Sequence, residues 1–322
     1  MPRKSYAQAM LDAILAAFES DPTTRVIGPS FAQGRGAPET QEAFFKTYGA
    51  RIMQPPISEG VTAALGAGAA MAGLRPFVNF GTSTFAFEAW NQIVNEAANA
   101  HFMSGGQVTV PVIYHMFAGI RGGGGVQHSQ SPQSMYANCP GLKLVLPASP
   151  ADIQGLIATA FRSPDPTVII NHTKLMGLEG DVPEGDVAIP FGQAEVKREG
   201  ADVTLVATSL MVQRALDAAD QLAGDGVKAE VVDPRTIVPL DRETIIASAA
   251  KTGRLVVVDE AAATCSIAAE IIASVAEAGV ALTAPPVRVT RPDTPVGFSP
   301  ALERAAEPNV EGIAGAIRRV MG

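Results

Sequence analysis

Apolar residues recur along this chain with two patterns, the period of amphipathic helices and the near-continuous runs of buried strands. In the first part, helices are predicted over Tyr6–Glu19, from Glu59, over Phe87–Ala100 and from Pro150. Strands are predicted between them, at Arg25–Ile27, Pro76–Phe80, Thr109–Tyr114, Leu142–Leu146 and Thr167–Asn171. This alternation is typical of a mostly parallel sheet with helices on both faces.

A polar run, Thr173–Pro190, interrupts this pattern with glycines and prolines and is interpreted as a linker. A second α/β unit begins at Asp202. Its strands are predicted at Val203–Ala207, Ala229–Val232 and Arg254–Asp259, and its helices at Val212–Ala223, Arg242–Ala250, Ile267–Ala278 and Glu311–Met321. The expected fold class is α/β, with two doubly wound, mostly parallel-sheet domains over residues 1–190 and 191–322.

The composition excludes several classes of protein. The chain has 322 residues and a formal charge of −8, which argues against a broad nucleic-acid surface. We expect no signal peptide and no membrane contact, because the first residues lead into an amphipathic helix and the apolar runs are short. The cysteines, Cys139 and Cys265, are far apart and are expected to be reduced core thiols of a cytoplasmic protein.

An isolated carboxylate, Glu59, enters a helix after Pro55-Pro56-Ile57-Ser58. The small residues on one face of this helix are predicted to let another helix or a cofactor approach closely; the face comprises Ala63, Ala64, Gly66, Ala67, Ala70 and Met71. Ser58 is expected to cap this helix, whose first turn favours an acidic residue. Taken alone, the motif is equally compatible with a simple helix-start carboxylate. The surrounding sequence is apolar and small, however, and a buried carboxylate is costly unless it shares a proton. Glu59 is therefore a candidate catalytic acid or base.

His128 is the best of the four histidines in functional context. It lies in Gln127-His128-Ser129-Gln130-Ser131-Pro132, just after four consecutive glycines, and beyond a predicted strand end, where open parallel sheets bind their ligands. A plain surface loop is the alternative. His101 is interpreted as a helix-end residue, and His172 as a strand-end residue without an evident partner. His115 is a minor candidate.

The phosphate-binding motifs that a complete nucleotide or diphosphate site requires are missing from this sequence. The glycine run contains neither a phosphate loop nor a dinucleotide fingerprint, and Gly224-Asp225-Gly226 lies between a helix end and a strand start, where a helix-terminating turn is expected. We therefore interpret the chain as half of an active site, completed by another chain.

Several motifs across the whole chain resemble the β subunits of thiamine-diphosphate-dependent 2-oxo-acid dehydrogenases, and the acetoin dehydrogenase branch in particular. The motifs of the first domain are Pro56-Ile57-Ser58-Glu59-Gly60, Gly73-Leu74-Arg75-Pro76, Gln92-Ile93-Val94-Asn95-Glu96-Ala97-Ala98, Gln127-His128-Ser129-Gln130 and Cys139-Pro140-Gly141. Those of the second domain are Asp202-Val203-Thr204-Leu205-Val206, Arg235-Thr236-Ile237-Val238-Pro239, Thr252-Gly253-Arg254, Asp259-Glu260-Ala261 and Thr294-Pro295-Val296.

The resemblance implies a transketolase-like pyrimidine-binding domain followed by a transketolase C-terminal domain. It implies that thiamine diphosphate binds between this chain and a separate α subunit, which holds the diphosphate and Mg²⁺, in an α2β2 heterotetramer. Ile57, Glu59 and Phe85 match the positions that line the aminopyrimidine. A potassium ion held by backbone carbonyls is also implied, at Val112, Ala160, Ser163 and Asp165.

The chemistry that the resemblance implies uses both candidate residues. Glu59 shares a proton with the aminopyrimidine, which activates the cofactor, and His128 assists proton transfer and passage of the acyl group to lipoyl-lysine. The leading hypothesis is cleavage of the carbon–carbon bond next to the carbonyl of a 2-oxo acid or acyloin, with a dihydrolipoyl acyltransferase core as a further partner.

Three departures from the family pattern concern the site. Gly28-Pro29-Ser30 replaces an acidic motif after the first strand, Gly81-Thr82-Ser83-Thr84-Phe85 is smaller than in relatives, and His115 replaces Arg or Thr. The lost acidic motif and the smaller pocket residues motivate a second hypothesis, a split transketolase-like enzyme that moves a two-carbon unit without lipoamide. A third hypothesis is a non-catalytic assembly subunit, against which Glu59 and His128 argue.

Overall fold

The structure is a computed structural model that describes residues 1–28, 38–185 and 187–322, with the side chains of residues 38–41 left out. Pro29 and Ser30 of the departure noted above lie outside the described residues. None of the helices in the described ranges is long and apolar enough to cross a membrane.

The strands, in chain order, are β1 Arg3–Ser5, β2 Thr24–Ile27, β3 Ile52–Met53, β4 Arg75–Thr82, β5 Ile113–Ala118, β6 Lys143–Val145, β7 Thr167–His172, β8 Glu179–Asp181, β9 Glu195–Arg198, β10 Val203–Ala207, β11 Ala229–Asp233, β12 Thr236–Val238, β13 Leu255–Ala262 and β14 Val287–Arg291.

The α-helices are α1 Tyr6–Ser20, α2 Pro38–Tyr48, α3 Glu59–Met71, α4 Ala98–Met103, α5 Gly125–His128, α6 Gln133–Ala137, α7 Pro150–Arg162, α8 Leu210–Ala223, α9 Arg242–Thr252, α10 Ile267–Glu277, α11 Pro300–Ala306 and α12 Val310–Met321. Short 3₁₀ turns lie at Gly49–Arg51, Phe85–Ala89 and Thr173–Leu175, and a π-helical stretch lies at Asn91–Ala97.

The chain divides into two compact units. Unit 1 comprises Met1–Ala118 and Met135–Phe191, and unit 2 comprises Gly119–Ser134 and Gly192–Gly322. The predicted boundary between residues 190 and 191 stays a prediction. The contacts group the segment that carries His128 with the C-terminal part of the chain.

Unit 1 is built on a parallel sheet in which the strands follow the order β6-β7-β5-β4-β2-β3. The inner strand β7 is buried along its whole length, which explains its apolar run Val168-Ile169-Ile170. Helix α1 packs against α7, and α3 packs against β4. Ser149 caps α7 by accepting a hydrogen bond from the Asp152 amide, and Pro150 occupies the first turn, where its missing N–H costs nothing.

Unit 2 contains a second sheet with the order β14-β13-β10-β11-β9. Its inner pairs are parallel, and only the edge strand β9 runs antiparallel, against β11. Strand β10 is fully buried, and α12 packs against α8. The prediction of an α/β fold with two doubly wound, mostly parallel domains is confirmed.

Three predicted elements differ from the structure. The predicted helix Phe87–Ala100 is a 3₁₀ turn, a π-helical stretch and the start of α4. The predicted strand Thr109–Tyr114 begins only at Ile113 and continues to Ala118. The predicted linker contains β8, whose residues pair with β1 in antiparallel register, so this part of the run is held within unit 1.

Candidate active site

Glu59 is the first residue of helix α3 and is partly exposed to solvent. Ser58 has the extended backbone of an N-cap residue, with φ −161° and ψ 102°, but its side chain makes no capping hydrogen bond, contrary to the prediction. Its carbonyl accepts from the Thr62 amide at 2.9 Å and thereby starts the helix. The Ser58 hydroxyl is therefore not needed to hold Glu59 in place.

The small residues of α3 allow the helix to lie very close to strand β4. Ala63, Gly66, Ala67 and Ala70 are buried on this face, and a Cβ atom on Gly66 would lie only 2.4 Å from Val78 Cγ2. The sequence suggested that these small residues admit another helix or a cofactor. In the structure they serve packing on the chain's own sheet, and only Ala64 and Met71 of the predicted face are exposed.

The opposite face of α3 is apolar and exposed. It carries Val61, Ala64, Leu65, Gly68 and Met71, and Met53 and Ile57, which precede the helix in sequence, are exposed as well. Ile57 is 86% exposed and Val61 53%. A contiguous apolar stripe of this kind is typical of a surface that another chain covers.

Phe85 opens the 3₁₀ turn Phe85–Ala89, which packs against α3. A Cβ atom on Gly60 would lie 3.7 Å from both the Glu88 carbonyl oxygen and Gln92 Nε2, so this turn lies beside the start of α3. The structure therefore brings Glu59 and Phe85 to the same end of unit 1. The Oε1 atom of Gln92 is buried there and has no hydrogen-bond partner among the described residues.

His115, the minor candidate, lies in the core of unit 1 and not at a site open to ligands. It is fully buried in β5 between two amides, with Nδ1 2.7 Å from Asn79 Oδ1 and Nε2 2.9 Å from Asn171 Nδ2. Burial lowers the pKa of its imidazole to about 3, so the ring is neutral. We conclude that His115 is a structural histidine.

The other two histidines of unit 1 also make local contacts. His101 Nδ1 lies 2.8 Å from the Val108 carbonyl oxygen. His172 is the N-cap of the turn Thr173–Leu175 and accepts from the Lys174 amide at 3.1 Å, so the expectation that it lacks a partner is wrong. Of the two cysteines, Cys139 is buried, as expected, but Cys265 is exposed and is not a core thiol.

The four positions of the implied potassium site cluster at the end of α7 and the adjoining strands. The Val110 amide donates to the Pro164 carbonyl at 3.1 Å. This hydrogen bond joins the segment before β5 to the segment after α7. The carbonyl oxygens of Val112 and Ala160 accept backbone amides, and that of Ser163 accepts the Arg75 guanidinium at 3.2 Å. Asp165 accepts the Ser163 hydroxyl at 3.2 Å. The Asp165 carbonyl also accepts from the Thr167 hydroxyl at 3.3 Å, whereas the carbonyls of Val112, Ala160 and Ser163 each have one donor among the described residues, which leaves a lone pair for a cation.

His128 lies in unit 2, at the end of the one-turn helix α5, and is partly exposed. The preceding glycines are needed for the path of the chain. Gly122, Gly123 and Gly125 have φ values of 91°, 79° and 60°, in the left-handed region that other residues avoid. At Gly124 the limit is space, because a Cβ atom would lie 2.6 Å from Ser129 Oγ.

Two acidic side chains from the C-terminal part of unit 2, which no sequence motif predicts as partners, bind this glycine segment. Glu303 accepts from the Gly123 amide at 2.8 and 2.9 Å and from the Gly124 amide at 3.2 Å. Glu260 accepts from the Ile120 amide at 2.6 Å. Glu260 belongs to one of the family motifs, but no local sequence signal indicates its target or that of Glu303.

Two domain families match this chain. The pyrimidine-binding domain of transketolase matches residues 3–177, and the C-terminal domain of transketolase matches residues 192–313. The β subunit of acetoin:2,6-dichlorophenolindophenol oxidoreductase from Cupriavidus necator is 40% identical over 333 residues and covers 100% of this chain and 98% of the relative.

Similar identities extend to the β subunit of the pyruvate dehydrogenase E1 component. That of Rickettsia conorii is 41% identical over 97% of each chain. The mitochondrial β-1 subunit of Arabidopsis thaliana is 40% identical over 97% of this chain and 87% of the relative. The chain belongs to this transketolase-like family of dehydrogenase β subunits.

Among solved structures, a split-gene transketolase, described as an inactive β4 tetramer, superposes with a TM-score of 0.80. It covers 99% of this chain and 98% of its own at 23% identity, so it supports the fold alone. The predicted family, and with it the thiamine-diphosphate-dependent oxidoreductase class, are confirmed by the dehydrogenase β subunits.

The family depends on thiamine diphosphate, and the start of α3 suits the aminopyrimidine end of this cofactor. Glu59 offers a carboxyl group for a ring nitrogen, Phe85 offers a ring that is 37% exposed, and Ile57 offers an exposed apolar side chain. The unpaired Gln92 Oε1 is a further acceptor beside them. The donors and acceptors of this chain therefore fit that part of the group.

Proposed function

We propose that this chain is the β subunit of a heteromeric, thiamine-diphosphate-dependent dehydrogenase that cleaves the bond next to the carbonyl of a 2-oxo acid or acyloin. The acyl group then passes to lipoamide. The observation that carries the proposal is 40% identity to an acetoin oxidoreductase β subunit over the full length of both chains, with Glu59 at the start of an exposed helix.

Glu59 acts in this proposal as the proton partner of the cofactor. When bound, thiamine diphosphate would supply a nucleophilic carbon for the substrate carbonyl and a sink for the electrons of the bond that breaks. The Glu59 carboxyl would hold the proton of the aminopyrimidine, and Phe85 and Ile57 would supply the apolar surfaces that bind its ring. Covering Glu59 with a second chain removes water from the carboxyl and strengthens its hydrogen bond to the ring.

The second chain in this proposal is an α subunit that binds the diphosphate and Mg²⁺, in an α2β2 assembly. The apolar stripe of α3, from Ile57 to Met71, supports it, because an exposed apolar surface beside a candidate catalytic carboxylate favours a covering partner. An acyltransferase core is a further partner of the assembly. The free cysteines suit a reducing compartment, and we place the protein in the cytoplasm.

His128 assists proton transfer and passage of the acyl group in this proposal. Its position at the end of α5, partly open to solvent, leaves the imidazole able to exchange a proton with a bound molecule. The carbonyls of Val112, Ala160, Ser163 and Asp165 hold a potassium ion that stabilises the end of α7.

The test is an activity assay of this chain purified together with its α subunit. The complex is given pyruvate, acetoin and longer 2-oxo acids with an artificial electron acceptor, and separately sugar phosphates with an aldose acceptor. We expect acceptor reduction with one of the first group and no transfer between sugars. Two-carbon transfer without acceptor reduction would favour the split transketolase-like alternative instead, and inactivity of the loaded complex in both assays would reject both.

A further inference from the structure

The segment that carries His128 is attached at both ends and in the middle to the C-terminal part of unit 2. At its start, the Ile120 amide donates to Glu260, and at its end Gln133 Nε2 donates to Asp259 Oδ1 at 2.6 Å. In the middle, the amides of Gly123 and Gly124 donate to Glu303. These are hydrogen bonds to carboxylates, which are stronger than those between neutral groups.

Glu303 is an unusual residue to find in a protein core. Its side chain belongs to α11 and the residue is only 4% exposed. Burial of a carboxylate is costly unless the charge is compensated by hydrogen bonds. Here both carboxylate oxygens accept a hydrogen bond from the Gly123 amide, and one of them also accepts a hydrogen bond from the Gly124 amide. The negative charge is therefore compensated by the glycine segment itself.

The glycine segment depends on such acceptors for its conformation. Glycine has access to more backbone conformations than any other residue and loses the most entropy when it is fixed. All four residues from Gly122 to Gly125 are glycines, so no side chain of the segment restricts its backbone path. The Glu303 carboxylate therefore selects one conformation, and this conformation ends in the helical turn that carries His128.

Further contacts hold the segment on both sides of this carboxylate. Ile120 is buried in an apolar cluster with Val296 and Ala306. The Phe298 ring lies against Gly125, 3.2 Å from where a Cβ atom would be. Beyond His128, Arg291 Nη1 donates to the Ser129 carbonyl at 3.2 Å. Four residues before His128, namely Ile120, Gly123, Gly124 and Gly125, and Ser129 after it thus have partners in the C-terminal part.

We propose that Glu303 is a positioning residue for His128. It acts through the Gly123 and Gly124 amides, with Glu260 as a second acceptor at Ile120, and holds the segment in the conformation that ends in the helical turn of His128. The proposal rests on the function proposed for His128. Loss of the carboxylate leaves Glu59, Ile57 and Phe85 unchanged, so cofactor and substrate still bind while the step that uses His128 slows.

The experiment uses the complex with the α subunit and the variant Glu303→Gln, which keeps the size of the side chain but not its charge. We expect kcat to fall by roughly 10–100-fold, the cost of a small misplacement of a catalytic group, with KM changed less than about twofold. Hydrogen exchange of the peptide with Gly123 and Gly124 should become faster. The control is Glu307→Gln, which breaks an ion pair to Arg214 at the end of the same helix. It should leave kcat and this exchange unchanged.

A double-mutant cycle separates positioning from simple loss of structure. If Glu303 acts through His128, then Glu303→Gln has no further effect on kcat in a His128→Ala background. Adding formate to Glu303→Ala should restore part of the protection of the glycine amides and part of kcat, because formate can replace the carboxylate.

Additive losses in the cycle, or wild-type kcat in Glu303→Gln, would overturn the proposal. So would an equal loss of kcat in the Glu307→Gln control. If instead the wild-type complex oxidises neither 2-oxo acids nor acyloins, the proposed function fails, while hydrogen exchange still reports whether Glu303 holds the segment.

Discussion

Asn171 Nδ2 donates a hydrogen bond to Nε2 of His115 over 2.9 Å, and this contact fixes the protonation of the imidazole. The Tyr6 hydroxyl sets the orientation of the amide by donating to Asn171 Oδ1 at 2.8 Å. Because an amide nitrogen only donates, His115 Nε2 accepts, and the proton lies on Nδ1, which donates to Asn79 Oδ1. The four side chains form one satisfied network in the core of unit 1.

His115 should make the stability of the chain depend on pH. Burial lowers the pKa of its imidazole from 6.5 to about 3 in the folded state. As the pH falls below 6.5, the unfolded chain binds a proton that the folded chain does not, so this contribution to stability is complete above pH 6.5 and decreases towards pH 3.

The variant His115→Gln should therefore lose less stability than the wild type between pH 6.5 and 5, by up to about 1.4 kcal/mol per pH unit. Urea unfolding of the purified chain at a series of pH values measures this slope. Two parallel curves would contradict the neutral, buried imidazole.

Tyr6→Phe removes the hydroxyl that pairs with Asn171 and leaves the amide oxygen without its donor. We expect the free energy of unfolding to fall by about 1–3 kcal/mol, the cost of an unsatisfied buried acceptor. The midpoint of urea unfolding measures it. Tyr48→Phe is the control, since Tyr48 contributes ring contacts to Phe18 and Phe44, and these contacts do not need its hydroxyl. Equal losses in both variants would argue against the network.

Two glycines on helix α3 should respond in opposite ways to the same substitution. Gly66→Ala forces a methyl group against Val78 and should destabilise the isolated chain by about 1–3 kcal/mol. Gly68 has nothing within 4 Å, so Gly68→Ala should stabilise the chain by about 0.5–1 kcal/mol through helix propensity. Urea unfolding compares them, and equal shifts would mean that α3 does not pack on β4 as described.

The outer face of α3, which carries Gly68, can be tested for contact with the α subunit. Gly68→Leu enlarges the outer face without touching the sheet, so it should leave the isolated chain folded but weaken co-purification with the α subunit. The control must be a glycine outside this face that has open space and no positive φ. Gly49→Leu meets both conditions, whereas Gly185 has a positive φ and does not. Unchanged assembly of Gly68→Leu would remove this face from the proposed interface.

Glu59→Gln should lower kcat of the complex by roughly 100-fold or more, because general acid–base catalysis contributes about 10²–10⁴-fold. An amide cannot hand over the proton that the cofactor needs. The acceptor-reduction assay measures kcat, and Glu19→Gln, an exposed carboxylate of α1, is the control that should change nothing. Full activity of Glu59→Gln would mean that Glu59 is only a helix-start residue.

The buried strands were predictable from the sequence because burial on both faces leaves a continuous apolar run. Val203–Ala207 agrees with the structure to the residue. The edge strands β9 and β14 were missed, since their half-exposed positions mix Lys197 or Arg288 with valines. The division of Phe87–Ala100 into three helical types was also missed, because apolar spacing does not distinguish them.

The site shows the same limit. Local sequence sufficed to single out Glu59 and His128 as candidates, because each lies in a distinctive motif at an element end. Glu303 is 180 residues away from the Gly123 amide that it binds, and a lone Glu in a short helix has no local feature that indicates its target. His115 was a minor candidate but is structural, because no local sequence feature of β5 indicates that Asn79 and Asn171 flank its ring.

The discontinuity of unit 2 has a consequence for chimeric proteins. A crossover at residue 191 between two relatives would take Gly119–Ser134 from one parent and Glu260, Arg291 and Glu303 from the other. Parents that differ at either set would then produce mismatched loops even when both halves fold. Recombination that transfers residues 119–134 together with the C-terminal part keeps unit 2 from one parent, so swaps of specificity between relatives should use three breakpoints and not one.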